Sequence, residues 1–212
     1  LPLQRLDTMK IIEVSIGDEK ANAFSTTLNK YAKVSHVGIS HDATKKERDT
    51  LFAKLKNYNL VILQLNKTSY RPAKNYSCTD GSIELISKIC EQKNTIACLN
   101  SNPYLINKLE NINRAKAILC LYEDNEFSQK AGAEAIMGAI TVNGRLPVTT
   151  NLFVAGTGLD IKTTIRVQYV APEQMGINSS KLLEIDSIAR HGIKENAYPG
   201  CQIVAIKDGK VF

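Results

Sequence analysis

Five short apolar runs, each followed by residues with helical periodicity, are the feature that most constrains the fold of this chain. The alternation extends from Met9 to Ala139. The runs are apolar throughout, a pattern typical of parallel strands that helices cover on both faces. We therefore predict a doubly wound α/β sandwich with a mainly parallel sheet. The predicted strands are 9–16, 33–39, 60–65, 95–99 and 115–122.

Capping patterns indicate where the first three helices begin. Asp18 follows the first strand, and we expect it to be the N-cap of helix one rather than a catalytic acid. Thr44 and Glu47 have the spacing of a capping box, in which hydroxyl and carboxylate satisfy reciprocal backbone donors. Asp80 is the predicted cap of helix three.

The last two helices are predicted from different signals. Asn102 and Pro103 combine an N-cap side chain with a ring whose φ suits the first helical position, so a helix through Ile112 is expected. The segment 126–139 is rich in Ala and Gly, which predicts a helix that approaches the sheet closely.

The regular alternation stops after Ala139. We predict an α/β sandwich domain over 1–150, a linker over 151–176 and the truncated start of a second domain over 177–212. A chain of 212 residues has room for one full domain and part of another.

The predicted second domain begins with a helix capped by Asn178 and continues with a strand over 202–206. Asp208 and Gly209 then predict a tight hairpin turn. A single helix and half a hairpin cannot bury a core, so we expect the remainder of this domain to be absent from the chain.

Composition excludes several classes of function. Lys and Arg number 27 against 21 Asp and Glu, a net charge of +6, and the excess is scattered, so no nucleic-acid partner is expected. No apolar stretch is long enough for a membrane span, and no signal-peptide pattern is present. The five Cys form no CxxC pair; we expect free buried thiols, no metal site and no cofactor.

The loops after the strands carry the candidate site, because ligands of doubly wound sheets bind at the carboxyl ends of the strands. A nicotinamide site is excluded, since the turn after strand one, residues 17–20, is Gly-Asp-Glu-Lys and not GxGxxG. Its two acids also disfavour a flavin phosphate. A phospho-acceptor receiver is disfavoured because Asn66 stands where the acceptor carboxylate is needed. The candidate cleft-wall residues are Asp18, Asn66, Asn100 and Glu123.

Motifs for covalent or acid–base catalysis are missing from the sequence. Neither GxSxG nor Ser-x-x-Lys occurs. His191 lies near the C-terminus of the tail helix, where a positive charge interacts favourably with the helix dipole, and we prefer this interpretation to a catalytic role. Asp18 and Glu123 are the only strand-end acids that could face one crevice as a glycosidase pair.

Two segments resemble known families. Residues 131–140, an Ala-rich helix, followed by Asn-Gly-Arg-Leu-Pro-Val-Thr over 143–149, resemble the end of the α/β sandwich domain of family 3 glycoside hydrolases. Residues 171–212 resemble the opening helix and first hairpin of a serine β-lactamase-like domain. Such domains occur fused behind family 3 β-N-acetylglucosaminidases of envelope-dwelling bacteria, so the order of the two segments fits both resemblances.

The family resemblance implies a function whose catalytic groups lie elsewhere. In this family the nucleophile is an Asp of an N-terminal barrel, and the N-acetylglucosaminidase branch uses an Asp-His pair on a barrel loop. The resemblance therefore implies a non-catalytic sandwich domain, a carbohydrate substrate bound through the missing barrel, and a cell-envelope or secreted location. No motif transfers the acid/base Glu of the glucosidase branch to Glu123.

Two alternatives stay open. The chain could be a freestanding α/β ligand-binding or signalling module that uses Asp18, Asn66 and Glu123, or a spacer between two enzymes. The apolar helix and strand of the tail also predict packing on the sandwich domain or on a second copy of the chain, as a homodimer through residues 177–212.

Overall fold

The computed structural model describes all 212 residues, which divide into two compact units, residues 1–163 and 164–212. The first unit contains a five-stranded parallel sheet with helices on both faces, which confirms the predicted fold class. The second contains one long helix and a small three-stranded sheet. The domain boundaries predicted at 150 and 176 stay predictions.

The elements of the first unit follow the predicted alternation closely. Its strands are β1 (Ile11–Ile16), β2 (Val34–Ile39), β3 (Leu60–Leu65), β4 (Thr95–Leu99) and β5 (Ala117–Cys120). Its α-helices are α1 (Ala23–Asn29), α2 (Lys45–Lys54), α3 (Asp80–Gln92) and α4 (Glu126–Met137). The strand order is β2-β1-β3-β4-β5, as in flavodoxin-like folds, so the winding direction reverses between β1 and β3.

Two apolar cores lie on opposite faces of the sheet because successive side chains of each strand alternate between the faces. Ile12, Val14 and Ile16 of β1 belong to the core under α2 and α3. Ile11 belongs to the core under α1 and α4. Between these apolar positions, β1 also buries Glu13 and Ser15 on the α1 side, a polar pattern that its apolar appearance in the sequence conceals.

Close packing of α4 agrees with its content of small residues. A side chain on Gly132 would start 2.6 Å from Leu121 Cδ1 and 3.4 Å from Phe24 of α1. Small residues therefore let α4 pack closely against α1 and the end of β5.

The caps of α1 and α3 differ from the predicted ones. Asn22, not Asp18, caps α1: its Oδ1 accepts from Phe24 N at 3.0 Å, and Ser25 Oγ accepts from Asn22 N at 3.3 Å. The helix begins four residues later than expected, and the Asp18 carboxylate instead pairs with Lys67 and accepts from Asn22 Nδ2 at 3.3 Å.

At α3 the cap lies one residue before the predicted Asp80. The Thr79 hydroxyl accepts from Ser82 N at 3.3 Å, which places Asp80 in the first turn of the helix.

The connection from β4 to β5 is not the α-helix predicted to run through Ile112. Asn102 does cap a helix, and its Oδ1 accepts from Tyr104 N at 3.0 Å. That helix is of the 3-10 type over Pro103–Lys108, and a second follows over Ile112–Arg114, after Asn111 in the left-handed region. Ile106, Leu109 and Ile112 are buried at intervals of three residues, which suits the threefold repeat of a 3-10 turn.

The second unit contains the predicted helix and hairpin turn. Helix α5 (Ser179–Lys194) is capped by Asn178, as predicted. Three two-residue strands form its sheet, in the order β6-β8-β7: β6 (Gln168–Tyr169), β7 (Ile206–Lys207) and β8 (Lys210–Val211). Asp208 and Gly209 both have positive φ, as a tight hairpin turn requires. The strand predicted over 202–206 is wrong, since pairing begins only at Ile206.

Large apolar side chains of the second unit remain exposed. No residue of α5 is buried, and Leu183 and Ile188 are 64% and 71% exposed. Val204, before the hairpin, is 69% exposed. None of the helices in the chain is long and apolar enough to cross a membrane.

Replacing Asn22 by Ala tests the observed cap of α1. We expect the Asn22→Ala variant to lose about 1–2 kcal/mol of unfolding free energy, because two backbone donors lose their acceptor. Urea unfolding followed by circular dichroism measures this loss. The Asn113→Ala variant, at an exposed position, is the matched control, and an equal loss of unfolding free energy in both variants would contradict the assignment of the cap.

Candidate functional site

The side chain of Asn66, the first residue after β3, ties together the carboxyl ends of three strands. Its Nδ2 donates to Ser15 Oγ of β1 at 2.9 Å and to Gln64 Oε1 of β3 at 3.0 Å. Its Oδ1 accepts a short hydrogen bond from Asn100 Nδ2, after β4. All four residues are buried, so these amides form an internal polar layer and not a surface.

The backbone of Asn66 closes the crevice at the point where the winding reverses. Asn66 N donates to Ile16 O of β1 at 2.8 Å. Gly17 has a φ of +100°, and a Cβ at this position would lie 2.4 Å from Asn66 O. The loops after β1 and β3 therefore touch, where many doubly wound proteins leave room for a ligand.

The open cleft lies beside this contact, toward β2. The chain after β1 crosses over β2 so closely that a Cβ on Gly38 would lie 2.3 Å from Asp18 O. The cleft has a volume of about 640 Å³. Its lining is almost entirely polar and comes from the loops after β1, β2 and β3: Gly17, Asp18, Glu19, Lys20, Ser40, His41, Asp42, Lys67 and Ser77.

An ion pair crosses the cleft. Lys67 Nζ lies 2.8 Å from Asp18 Oδ1, and this contact raises the pKa of the Lys67 ammonium. The backbone of Lys67 is held separately, because its N–H donates to Asp124 Oδ2 at 2.7 Å while Asp124 Oδ1 accepts from Gln129 Nε2. The loop after β5 thus positions the residue that spans the cleft.

His41 forms the second link between the loops. Its Nε2 donates to Asn66 O at 2.8 Å, and its Nδ1 lies 3.2 Å from Ser82 Oγ of α3. Its carbonyl accepts a short hydrogen bond from the Thr79 hydroxyl. These contacts tie His41 to the loop after β3 and to α3, so the ring holds the cleft wall in place.

The four predicted site residues do not form one surface. Asn66 and Asn100 are buried and bond to each other, whereas Asp18 lines the cleft. Glu123 is exposed at the far end of the sheet, where its Oε2 accepts from Asn125 Nδ2 at 2.8 Å. A role in substrate binding stays a prediction for all four.

Asp18 and Glu123 follow β1 and β5, which are not neighbouring strands of the sheet. Each of the two carboxylates is also engaged locally, Asp18 by Lys67 and Glu123 by Asn125.

Sequence reasoning missed the residues that line most of the cleft. Ser40, His41 and Asp42 follow β2, and Lys20 and Lys67 lie next to predicted candidates. The rule that sites lie after the strands could have found Ser40–Asp42, because β2 was a predicted strand whose end supplied no candidate.

Four of the five cysteines lie in the interior or partly so, as expected, whereas Cys201 is exposed, contrary to expectation. All five are free. Burial raises the pKa of the Cys78 thiol to about 11 and that of Cys90 to about 12, so neither thiol is a nucleophile at neutral pH. No group of three or more His, Cys, Asp or Glu side chains is placed to hold a metal ion.

A buried carboxyl group lies deeper, under α1. Glu13 is fully buried on β1, and its Oε2 lies 3.1 Å from Nδ1 of His36, its partner on β2. Ser25 Oγ of α1 is 3.4 Å from the same nitrogen. Burial raises the pKa of Glu13, and the hydrogen bonds from Ser25 and His36 oppose that shift only in part.

Comparison with known proteins found similarity only among solved structures. No protein-family model and no curated protein matches the chain. The chain is similar to a glycoside hydrolase family 3 β-N-acetylglucosaminidase from Paenibacillus sp. str. FPU-7, with a TM-score of 0.55 and 19% identity. The match covers 74% of this chain and 29% of that one. The similarity is one of fold.

A second solved structure, the β-glucoside phosphorylase BglX, matches with a TM-score of 0.40 and 16% identity. It covers 65% of this chain and 25% of that one. This chain therefore spans between a quarter and a third of each of the two proteins.

Glu13 makes the stability of the first unit depend on pH. Because folding raises its pKa above the ordinary value of 4.5, the folded state binds the proton more tightly than the unfolded state. Its contribution to stability is complete below pH 4.5 and is lost as the pH rises through the folded pKa. The Glu13→Gln variant, which can still accept from His36, should therefore have a higher Tm than the wild type at pH 8.

Thermal unfolding from acid to alkaline pH measures this difference. The curves of Glu13→Gln and wild type should converge at low pH and separate at high pH. The exposed Glu19→Gln substitution removes the same charge and should leave the wild-type profile unchanged. A constant offset of Glu13→Gln at every pH would show that the carboxyl does not titrate differently on folding.

Proposed function

We propose that this chain is the sandwich domain of a retaining, exo-acting β-N-acetylhexosaminidase that removes β-linked N-acetylhexosamine from peptidoglycan or chitin-type sugars. The observation that carries the proposal is the fold similarity, over 74% of the chain, to a family 3 β-N-acetylglucosaminidase. At 19% identity this similarity supports a common fold, and the activity is inferred from it.

The segment that resembles the family is ordered in this structure: residues 132–139 are buried, and Leu146 is the buried residue of the stretch 143–149 that follows. Leu146, in the stretch Gly-Arg-Leu-Pro-Val, is buried and accepts from Gly156 N at 2.8 Å. Arg145 Nη2 lies 2.7 Å from Asp160 Oδ1. The resemblance therefore falls on a structured part of the first unit, where packing constrains the sequence.

The proposed division of labour follows from the chemistry of the cleft. Asp18 is paired with Lys67, the ring of His41 is hydrogen-bonded to the cleft wall, and Glu123 is bonded to Asn125. The catalytic groups are accordingly assigned to a barrel of the parent protein, and this domain supplies a polar wall beside the substrate. The parent is proposed to act in the cell envelope or outside the bacterial cell.

The second unit is proposed to begin a β-lactamase-like domain. Its exposed apolar residues, including Leu183, Ile188 and Val204, would be covered by the remainder of that domain or by a second copy of the chain. In the small sheet β8 lies between β6 and β7, so β6 and β7 are edge strands to which further strands of the domain or of a second copy could be added.

Activity assays on the parent protein and on this chain test the proposal. The parent should hydrolyse 4-nitrophenyl N-acetyl-β-D-glucosaminide, and the 212-residue chain should not. In the parent, the double substitution Asp18→Asn/Glu123→Gln should leave kcat within about twofold of wild type, because neither carboxylate contacts the reacting bond.

Circular dichroism on each protein controls for folding. Turnover by the isolated chain, or a loss of kcat by orders of magnitude in the double variant, would contradict the assignment of catalysis to the barrel. A folded parent with no activity on N-acetylhexosaminides would contradict the proposed substrate class.

A further inference from the structure

The loop between β3 and α3 carries positive charge without any acid. We call residues 67–78 the basic loop; its sequence is Lys-Thr-Ser-Tyr-Arg-Pro-Ala-Lys-Asn-Tyr-Ser-Cys. Three cations and two tyrosines therefore occur within twelve residues, and the first carboxylate after them is Asp80.

The basic loop has a fixed shape. Tyr76 and Cys78 are buried in the core under α3 and anchor its end. Ser69 N donates to Tyr76 O at 2.7 Å and closes the loop on itself. Residues 74–77 all have φ between 50° and 68°, a left-handed turn that L-residues adopt only when their surroundings enforce it.

Two cations of the basic loop have no ionic partner. Lys67 pairs with Asp18, but Arg71 and Lys74 are exposed and make no ion pair. Tyr70, beside them, is 62% exposed. The structure thus presents two unneutralised charges and an aromatic ring on a preformed loop.

A second exposed tyrosine lies close to this group. Asn102 Nδ2 donates to Tyr70 O at 3.1 Å, and Asn102 Oδ1 accepts from Tyr104 N at 3.0 Å, so one side chain fixes both tyrosine backbones. Tyr104 is 43% exposed. The turn that carries Tyr104 is also in contact with the turn that carries Lys74.

Free cations beside exposed aromatic rings match an anionic ligand that also has apolar faces. Arg and Lys bind carboxylate and phosphate groups, and tyrosine rings pack against flat, partly apolar surfaces while their hydroxyls bond to polar groups. Sugar rings that bear carboxylate or phosphate groups have both properties.

The cleft next to the basic loop favours a glycan over a nucleic acid. Lys67 and Ser77 are part of the basic loop and also line the cleft, so a long ligand bound on the loop would extend into the cleft. There it would meet the carboxylates of Asp18, Glu19 and Asp42, which accept hydrogen bonds from the hydroxyl groups of a polysaccharide, while its anionic groups stay at the cations of the basic loop. Two free cations are also few for a nucleic-acid site, whose affinity comes from many phosphate contacts.

We propose that Tyr70, Arg71, Lys74 and Tyr104 form a binding site for an anionic glycan, a polysaccharide that carries carboxylate or phosphate groups. The choice of a bacterial wall polymer as probe rests on the proposed function. The proposal of a site is based on the charges and aromatic rings of the basic loop and of Tyr104. In this proposal the sandwich domain binds the polymer and does not cleave it.

Co-sedimentation of the 212-residue chain with insoluble polymers tests the site. The probes are peptidoglycan freed of phosphate polymers by hydrofluoric acid, the untreated wall that retains them, and chitin as the neutral polymer. The chain should bind both anionic polymers at low salt, lose them at high salt because of screening, and bind chitin at least tenfold more weakly. Binding to both anionic polymers would show that carboxylate groups are sufficient for binding. Binding to the untreated wall alone would identify phosphate as the group that is recognised.

Matched variants separate the site from general charge. The Arg71→Ala/Lys74→Ala variant should bind about tenfold more weakly, and Tyr70→Ala should also bind more weakly without any change of charge. Lys45→Ala/Lys46→Ala removes two charges from the exposed start of α2 and should bind like the wild type. Circular dichroism establishes that all variants are folded.

Several outcomes would overturn the inference: equal losses in the two double variants, equal binding to chitin, or tighter binding to polyuridylate RNA than to the wall polymers. These outcomes are separable from a failure of the proposed function, because the binding assay needs no catalysis. A parent protein without hexosaminidase activity whose chain still bound the wall through Arg71 and Lys74 would contradict the proposed function and support the binding site.

Discussion

The hydrogen bonds of Asn66 are the interaction on which the architecture of the site depends. One residue joins β1, β3 and β4 through its side chain and reaches the loop after β2 through its carbonyl, which accepts from His41. Parallel strands pair along their length, but nothing in that pairing fixes the loops that leave their carboxyl ends. A buried amide with both donor and acceptor satisfied does so, and breaking the set would leave polar groups unpaired in the interior.

The position of the cleft follows from this constraint. Since Gly17 and Asn66 are in contact, the point where the winding reverses is closed, and the available space shifts toward β2. There the chain after β1 lies on Gly38, and the Asp18–Lys67 ion pair bridges the opening. The resulting surface is polar. Its loops are held by the Asp18–Lys67 ion pair and by the hydrogen bonds of His41 and Lys67. Such a wall can contact a hydroxylated ligand.

The sequence was sufficient to predict the sheet, because all five strands are short and mainly apolar and are separated by segments with turn or helix signals. It was insufficient wherever tertiary contacts compete with local preference. Asp18 is of a residue type that often caps helices. In the structure its carboxylate pairs with Lys67 of another loop, and Asn22 is the cap. Asn102 does start a helix, but burial at every third residue favours 3-10 turns. Asn66 was correctly placed after a strand, whereas its inward orientation depends on partners up to 51 residues away.

Local charge gives more information here than net charge. Over the whole chain the cations look scattered, because most have an acid nearby along the sequence, as Lys45 and Lys46 have Glu47. The basic loop contains three cations and no acid, and the fold brings only one acidic partner to it. Its acidic neighbour Asp18 neutralises only Lys67, Asp80 accepts from Asn75, and the left-handed turn holds Lys74 at the surface. Strain in that turn costs stability, roughly 1–2 kcal/mol per left-handed residue, which burial of Tyr76 and Cys78 must offset. The loop therefore keeps a costly conformation that presents Arg71 and Lys74 together to the solvent, where one anionic polymer can reach both.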